Sequence, residues 1–462
     1  MLSALVPLVW LFGFTVDDAL ITARVAHQLA LGNGYRFNAD GPIVDAVTPL
    51  GFAFLLLPAA GSGPLSALAF AKWLGAAAWL AAAGIIGWEV GHCGRRSGAT
   101  ALAVLLVCTP LACWAAAGME TGLVTLLATL SLGRARVWPL FAGLAAALRP
   151  ELGAWAVVLT LGRALFDGST MSSRGRPRAL AVLGALAAGI GPLVLVAITR
   201  SLVFGQAYPL SVLAKPSTPA QGVAYALSAL VHTGPAWLLL AAPAAYRSLS
   251  RRSRVALIAV LAHFVALVLV GGDWMPLYRL AVPVLPALIV AGAELSSAPT
   301  LRWTAPLRLV GALAVSLHLA ARLGPSAAAV GEQRAALIRG GRAALSGASC
   351  VGSLDVGWVG AATSARVVDF AGVTDPTVAR LPGGHTTKRL PAGFLQSRGV
   401  DALVVLAHRP SAVALGELNA VRAVESRLAA LEGAADFRPV AVLPLLGTEQ
   451  GYVVYRRSKP SG

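Results

Sequence analysis

Blocks of apolar residues, broken by short polar stretches, dominate the chain as far as residue 323. The clearest run from about 65–91, 98–117, 121–133, 137–148, 151–166, 179–199, 235–247, 255–270, 278–294 and 304–321. With a first helix inside 1–14 they predict about eleven membrane spans, several of them short for a bilayer. Residues 1–14 would rise roughly 21 Å as a helix. They lack a basic leader and an A-x-A site, so they read as an uncleaved helix rather than a signal peptide. Between the first two blocks, 20–31 has helical apolar spacing with Arg24, His27 and Gln28 among it, as in an amphipathic helix lying in the interface. Gly32, Asn33 and Gly34 end it, and the run at 48–60 is too short to span, so it is expected to be interfacial or re-entrant.

Past residue 324 the pattern changes. Short β-rich pieces at 348–354, 366–370, 402–406, 439–445 and 451–455 alternate with helical stretches at 328–345 and 418–431, the pattern of a small α/β domain. The fold class is therefore an all-α polytopic membrane domain, 1–323 with a first outer loop at 15–63, followed by an extracytoplasmic α/β domain, 324–462.

Composition agrees. The 462 residues are 57% hydrophobic and 12% charged, with mean hydropathy +0.74, where a soluble domain carries about 25% charged residues. The net charge of +17 raises nucleic-acid binding, but its distribution points elsewhere. Arg95 with Arg96, Arg134 with Arg136, the arginines of 174–178 and of 247–254, and Arg302 with Arg308 fall in alternate loops, so all can be cytoplasmic at once. That places the N-terminus inside and the C-terminal domain outside. Four cysteines show neither a disulfide framework nor a CxxC metal site.

The remaining, outward loops collect the chemistry. They hold Asp17 and Asp18, Glu120, Arg149 with Glu151, the stretch from 208 to Lys215, and Asp273 with Trp274. Acidic residues contribute little to orientation, so their one-sided excess asks for another cause. Two adjacent carboxylates where an apolar run ends push one pKa upward, which suits a general base. The plainer alternative is that Asp17 caps a helix starting near Ala19.

Several stretches in register resemble the GT-C class of integral-membrane glycosyltransferases that use polyprenyl-phosphate sugars. They are VDDALITARVAHQLALGNGYRFN, DAVTPLG, AGMETGL, LRPELG, YPLSVLAK, GGDWMPLYRLAVPVLPAL, DVGWVG, VVDFAGVTDPTVARLPGGH and FLQSRGVDALVV. Their order is most similar to the actinobacterial terminal arabinofuranosyltransferases. The resemblance implies a first outer loop bearing the catalytic aspartate, with Asp17 favoured over Asp18 as base, and a cytoplasmic-membrane enzyme of cell-envelope biogenesis. It implies a polyprenyl-phosphate donor, arabinofuranose as its sugar, and a glycan or lipid acceptor. Lys215, Arg149 and Arg279 are the candidates for the donor phosphate. Glu120, Glu151, Asp273, Trp274 and His385 are candidates for substrate contact. A divalent cation shared by Asp17 and Asp18 is left open. The chain is shorter than those enzymes, and DAVTPLG replaces a stretch with asparagine before the proline, which leaves sugar and acceptor open.

Two other classes compete: a flippase or transporter of lipid-linked sugars, and a membrane scaffold for envelope enzymes. Transporters bind near the bilayer midplane, whereas the carboxylates here gather at one surface. Changing Asp17→Asn together with Asp18→Asn is expected to abolish incorporation of label from a radiolabelled polyprenyl-phosphate sugar, measured in membranes, while a scaffold would go on working.

Overall fold

A computed structural model describes residues 1–166, 178–240 and 242–458. Its longer helices are α1 (Leu2–Trp10), α2 (Asp17–Ala30), α3 (Pro64–Gly91), α4 (Arg95–Val107), α5 (Thr109–Ala116), α6 (Thr121–Leu132), α7 (Trp138–Leu148) and α8 (Gly153–Phe166). They continue as α9 (Arg178–Phe204), α10 (Leu210–Ala214), α11 (Pro219–His232), α12 (Arg251–Val270), α13 (Leu285–Ser296), α14 (Ala305–Ala344) and α15 (Val356–Ala362). Five strands follow α14: β1 (Cys350–Ser353), β2 (Arg366–Asp369), β3 (Ala402–His408), β4 (Phe437–Pro444) and β5 (Gln450–Arg457).

Among the described residues four helices are long and apolar enough to cross a membrane: Pro64–Gly91, Ala179–Phe204, Arg251–Val270 and Ala305–Ala344. The pair α4 and α5, bent by 55°, makes a fifth if counted as one span. With this composition the chain is a multi-pass membrane protein. The expected block at 235–247 is not an α-helix but two 3-10 stretches, Pro235–Leu239 and Ala242–Ser248. Gly234, at φ 84°, precedes Pro235 and stops the preceding helix there. That helix, α11, starts with a capping box between Thr218 and Gln221. The expected pieces 304–321 and 328–345 are one helix of 40 residues, which runs through Pro325. The arginines at 174 and 176 lie outside the described residues. Arg308, grouped by sequence with the topology-setting charges, is buried and donates to the carbonyls of Leu238 (2.6 Å), Leu295 (3.3 Å) and Leu301 (3.4 Å).

The fold has two compact units. The first comprises Met1–Thr15, Ala71–Thr199 and Ser217–Ala329. Trp79, Trp114 and Trp155 are fully buried in it. Its helices touch through small residues: a Cβ on Gly122 would lie 2.6 Å from the Gly75 carbonyl oxygen, and one on Gly162 would lie 2.5 Å from Val255. Lipid offers no hydrophobic drive for helices to associate, so such close backbone approach supplies the contact.

The second unit joins Val16–Phe70 and Arg200–Pro216 to Val330–Gly462. Its five-stranded sheet has the order β2-β1-β3-β5-β4. The strands β2, β1 and β3 are parallel, with Val351 opposite both Val367 and Ala402, while β5 is antiparallel to β3 and β4. All five strands coincide with the β-rich pieces read from sequence. The expected helix at 418–431 reduces to short turns at Ala423–Ser426 and Leu428–Ala430. One side of the sheet packs on Phe370, Phe394, Leu395, Val424 and Leu428. A Cβ on Gly352 would meet Phe370 at 2.4 Å, so glycine in β1 makes room for that ring. Phe370→Ala is expected to destabilise the domain by about 3–5 kcal/mol, read from thermal unfolding of the purified chain.

Candidate functional site

Asp17 and Asp18 open α2, after Val16 in extended conformation. Carboxylates in a first turn suit the helix dipole, yet Asp17 makes no capping bond within its own helix. Its carboxylate instead accepts the backbone N–H groups of Gly357 (2.8 Å) and Trp358 (2.9 Å). These are orphan donors in the first turn of α15, whose own N-cap residue, Asp355, makes no side-chain cap. Arg334 lies 3.7 Å from the same carboxylate. A Cβ at Gly357 would come within 2.1 Å of the Asp17 carbonyl oxygen, so only glycine allows this approach.

Two turns further along α2, Arg24 is buried. It donates to the carbonyls of Gly360 (2.6 Å), Thr363 (3.1 Å), Ala365 (3.0 Å) and Phe37 (2.9 Å), and to Asn38 Oδ1 (3.2 Å). Helix α2 thus sets an anion at the N-terminal end of α15 and a cation at its C-terminal end. Asn38 also exchanges two hydrogen bonds of 2.9 Å with the backbone of Val367 in β2. Asp355 faces Tyr452 Oη (2.8 Å) and Arg422 (2.7 Å). Burial works to raise its pKa, but Arg422 and Arg334 outweigh it and hold the carboxyl below its ordinary value.

Asp18 points to a different partner. Its Oδ2 lies 3.5 Å from Lys215 Nζ, and both side chains are about a fifth to a quarter exposed, at 24% and 21%. Lys215 follows α10, which is fastened by a second buried tie. Asp45 and Arg200 pair at 2.8 Å with almost no exposure. Arg200 also donates to the Thr48 carbonyl, and Thr48 Oγ1 meets Ser211 Oγ at 3.0 Å. The Leu210 N–H donates to the Asp45 carbonyl (3.3 Å).

The other candidates fall in the first unit, in two ion-pair groups. Arg149 sits between Glu120 (2.6 Å) and Glu151 (3.3 Å), almost wholly buried. Arg279 pairs with Asp273 (2.8 Å) and stands over the Trp114 ring at 5.6 Å. Immediately before it Leu277 and Tyr278 are left-handed, at φ 60° and 53°, which costs about 1–3 kcal/mol each. Trp114 Nε1 holds the Leu277 carbonyl (3.1 Å), and Ser228 and Tyr278 hydroxyls meet at 2.7 Å. Trp274 is 63% exposed. His385 is half-buried in a loop of the second unit. Its neighbour Lys388 is buried and donates to the carbonyls of Ala379 (2.8 Å) and Leu381 (2.9 Å), a structural role.

The second unit therefore brings Asp17, Asp18 and Lys215 together, and Arg149, Arg279, Glu120, Glu151, Asp273 and Trp274 belong to the first. Among the described residues no three His, Cys, Asp or Glu side chains converge as metal ligands. Sequence reasoning missed Arg334, Arg200 and the part played by Arg24. The seven-residue spacing from Asp17 to Arg24 and the paired glycines of DVGWVG were the available signal; Arg334, in the polar part of α14, gave none.

Burial raises the Asp17 carboxyl from 3.8 to about 6, against Arg334 and the two N–H donors, which lower it. The folded chain thus holds a proton there between about pH 4 and 6 that the unfolded chain has released, and stability from this group falls as pH rises through that window. Melting temperatures of the native chain relative to Asp17→Asn should decline from pH 4 to 6 and level off above.

No protein-family model and no curated protein matches the chain significantly. Among solved structures it is similar to ArnT from Cupriavidus metallidurans bound to undecaprenyl phosphate, at 15% identity and a TM-score of 0.55, covering 99% of this chain and 97% of that one. It matches the apo state of the same ArnT at 14% identity and a TM-score of 0.53, covering 98% and 95%. Across nearly its whole length, the chain has the fold of ArnT.

Proposed function

We propose that the chain is a GT-C glycosyltransferase of the cytoplasmic membrane. It moves a sugar from a polyprenyl-phosphate donor to a glycan or lipid acceptor outside the cell, with arabinofuranose suggested as the sugar by the motifs around VDDALITAR. The observation that carries this reading is the full-length likeness to ArnT bound to undecaprenyl phosphate, combined with the carboxylate and ammonium of Asp18 and Lys215 at 3.5 Å.

In the proposed reaction the acceptor oxygen attacks the anomeric carbon, the bond from that carbon to the phosphate oxygen breaks, and the hydroxyl proton passes to a carboxylate. Asp18 is the better base of the pair. Both oxygens of Asp17 already accept backbone N–H groups, whereas Asp18 is the more exposed and stands beside a cation. Lys215 stabilises the charge that grows on the departing phosphate. Its counter-charge is the group that takes up a proton in the same turnover, so the ammonium gains a new anion as it loses the old one. Arg149 and Arg279 are already neutralised by carboxylates, which makes them weaker candidates for the phosphate. Their groups, with Trp274, are assigned to shaping the first unit's outer loops for substrate.

The test is transfer of label from radiolabelled polyprenyl-phosphoryl arabinofuranose, and from a panel of other polyprenyl-phosphate sugars, by the chain in lipid vesicles with membrane acceptor. Asp18→Asn should reduce transfer about a thousandfold. Lys215→Met should reduce it about a hundredfold and weaken binding of undecaprenyl phosphate. Undiminished transfer by Asp18→Asn would reject that residue as the base, and translocation of the lipid without transfer would favour a flippase.

A further inference from the structure

The contact between α2 and α15 is matched in length. From Asp17 to Arg24 the helix rises roughly 10.5 Å, and seven residues, Val356–Ala362, make up α15. Glycines face the partner at both ends: a Cβ on Gly357 would meet Asp17, and one on Gly360 would lie 2.9 Å from Arg24 Cδ. The carboxylate of Asp17 replaces the cap that Asp355 does not supply, because Asp355 is turned to Tyr452 and Arg422. Asp355 in turn is linked to the sheet, since Tyr452 is a β5 residue opposite Leu406 of β3. Side-chain contacts joined by the backbone of 355–358 therefore lead from strand β5 of the C-terminal sheet to the turn that carries Asp18.

We infer that Asp17 is a positioning residue: the N–H groups of Gly357 and Trp358 hold its carboxylate and so fix the turn that sets Asp18 against Lys215. The C-terminal α/β domain is thereby a working part of the transfer site. This assignment rests on the role proposed above for Asp18. It separates two adjacent carboxylates that the sequence presents as equivalent, giving one to the scaffold and one to the acceptor hydroxyl.

The test compares Asp17→Asn, Asp17→Ala, Gly357→Ala and Asp18→Asn in the full chain, using labelled polyprenyl-phosphate sugar and amide hydrogen exchange over residues 17–22. Asn keeps an acceptor oxygen, so Asp17→Asn should retain kcat within about tenfold. Asp17→Ala and Gly357→Ala, which free the turn, should each lower kcat about a hundredfold with KM for the donor unchanged, and should speed exchange. Asp18→Asn should be inactive with exchange unchanged. If Asp17→Asn is as inactive as Asp18→Asn while Gly357→Ala turns over normally, Asp17 takes part in the chemistry and the assignment is overturned. If the native chain transfers no sugar, the function proposed above fails instead. Exchange then decides: Asp17→Ala must loosen 17–22, and unchanged exchange overturns the assignment.

Discussion

A carboxylate held by the backbone of a remote helix is the interaction on which the second unit depends. Asp17 and Gly357 are 340 positions apart, and no local preference would bring them together. Supplying a missing cap contributes about 1 kcal/mol, and a charge at a helix end adds up to roughly 2 kcal/mol when partly buried. Burial opposes both and prevails, since the Asp17 carboxyl is raised rather than lowered. The bracket is thus held under electrostatic tension. Arg24 relieves the other end of α15 by satisfying the carbonyls of Gly360 and Thr363. Removing either charge would strand buried polar groups, at a cost of about 1–3 kcal/mol each.

The pair proposed for the chemistry is weak by comparison. At 3.5 Å and partly exposed, Asp18 and Lys215 attract each other by about 0–1 kcal/mol. Such a pair cannot organise its surroundings, so its geometry has to be imposed. Asp17 does this for one partner. For the other, the buried Asp45 and Arg200 pair joins the first loop to α10, just ahead of Lys215. Breaking a buried pair of that kind costs about 3–5 kcal/mol. Strong structural contacts therefore flank a weak, partly exposed pair.

Much of this was legible in the amino-acid sequence. Hydrophobic blocks located α3, α9 and α12 within a few residues, and short β-rich pieces located all five strands, because both signals report burial. The failures have physical causes. The block at 235–247 is apolar, but Gly234 and two prolines forbid a regular helix, and the neighbouring α11, capped by Thr218 and Gln221, was not foreseen. The adjacent aspartates were visible as a pair, but which one anchors and which one faces Lys215 depends on α15, a helix too short to show periodicity. Arg149, a candidate for the donor phosphate by sequence, pairs in the fold with Glu120 and Glu151. Arg200 and Arg334 went unnoticed because an arginine in a long helix looks the same whether it meets solvent or a buried aspartate.

Helix α14 carries a further implication. Its 40 residues extend roughly 60 Å, about double the 30 Å hydrocarbon layer, so part of its length lies outside lipid. Arg334 stands roughly 43 Å from its start. Pro325 removes one backbone hydrogen bond within it, and the charge that tunes the Asp17 carboxyl is carried by the stretch beyond that proline.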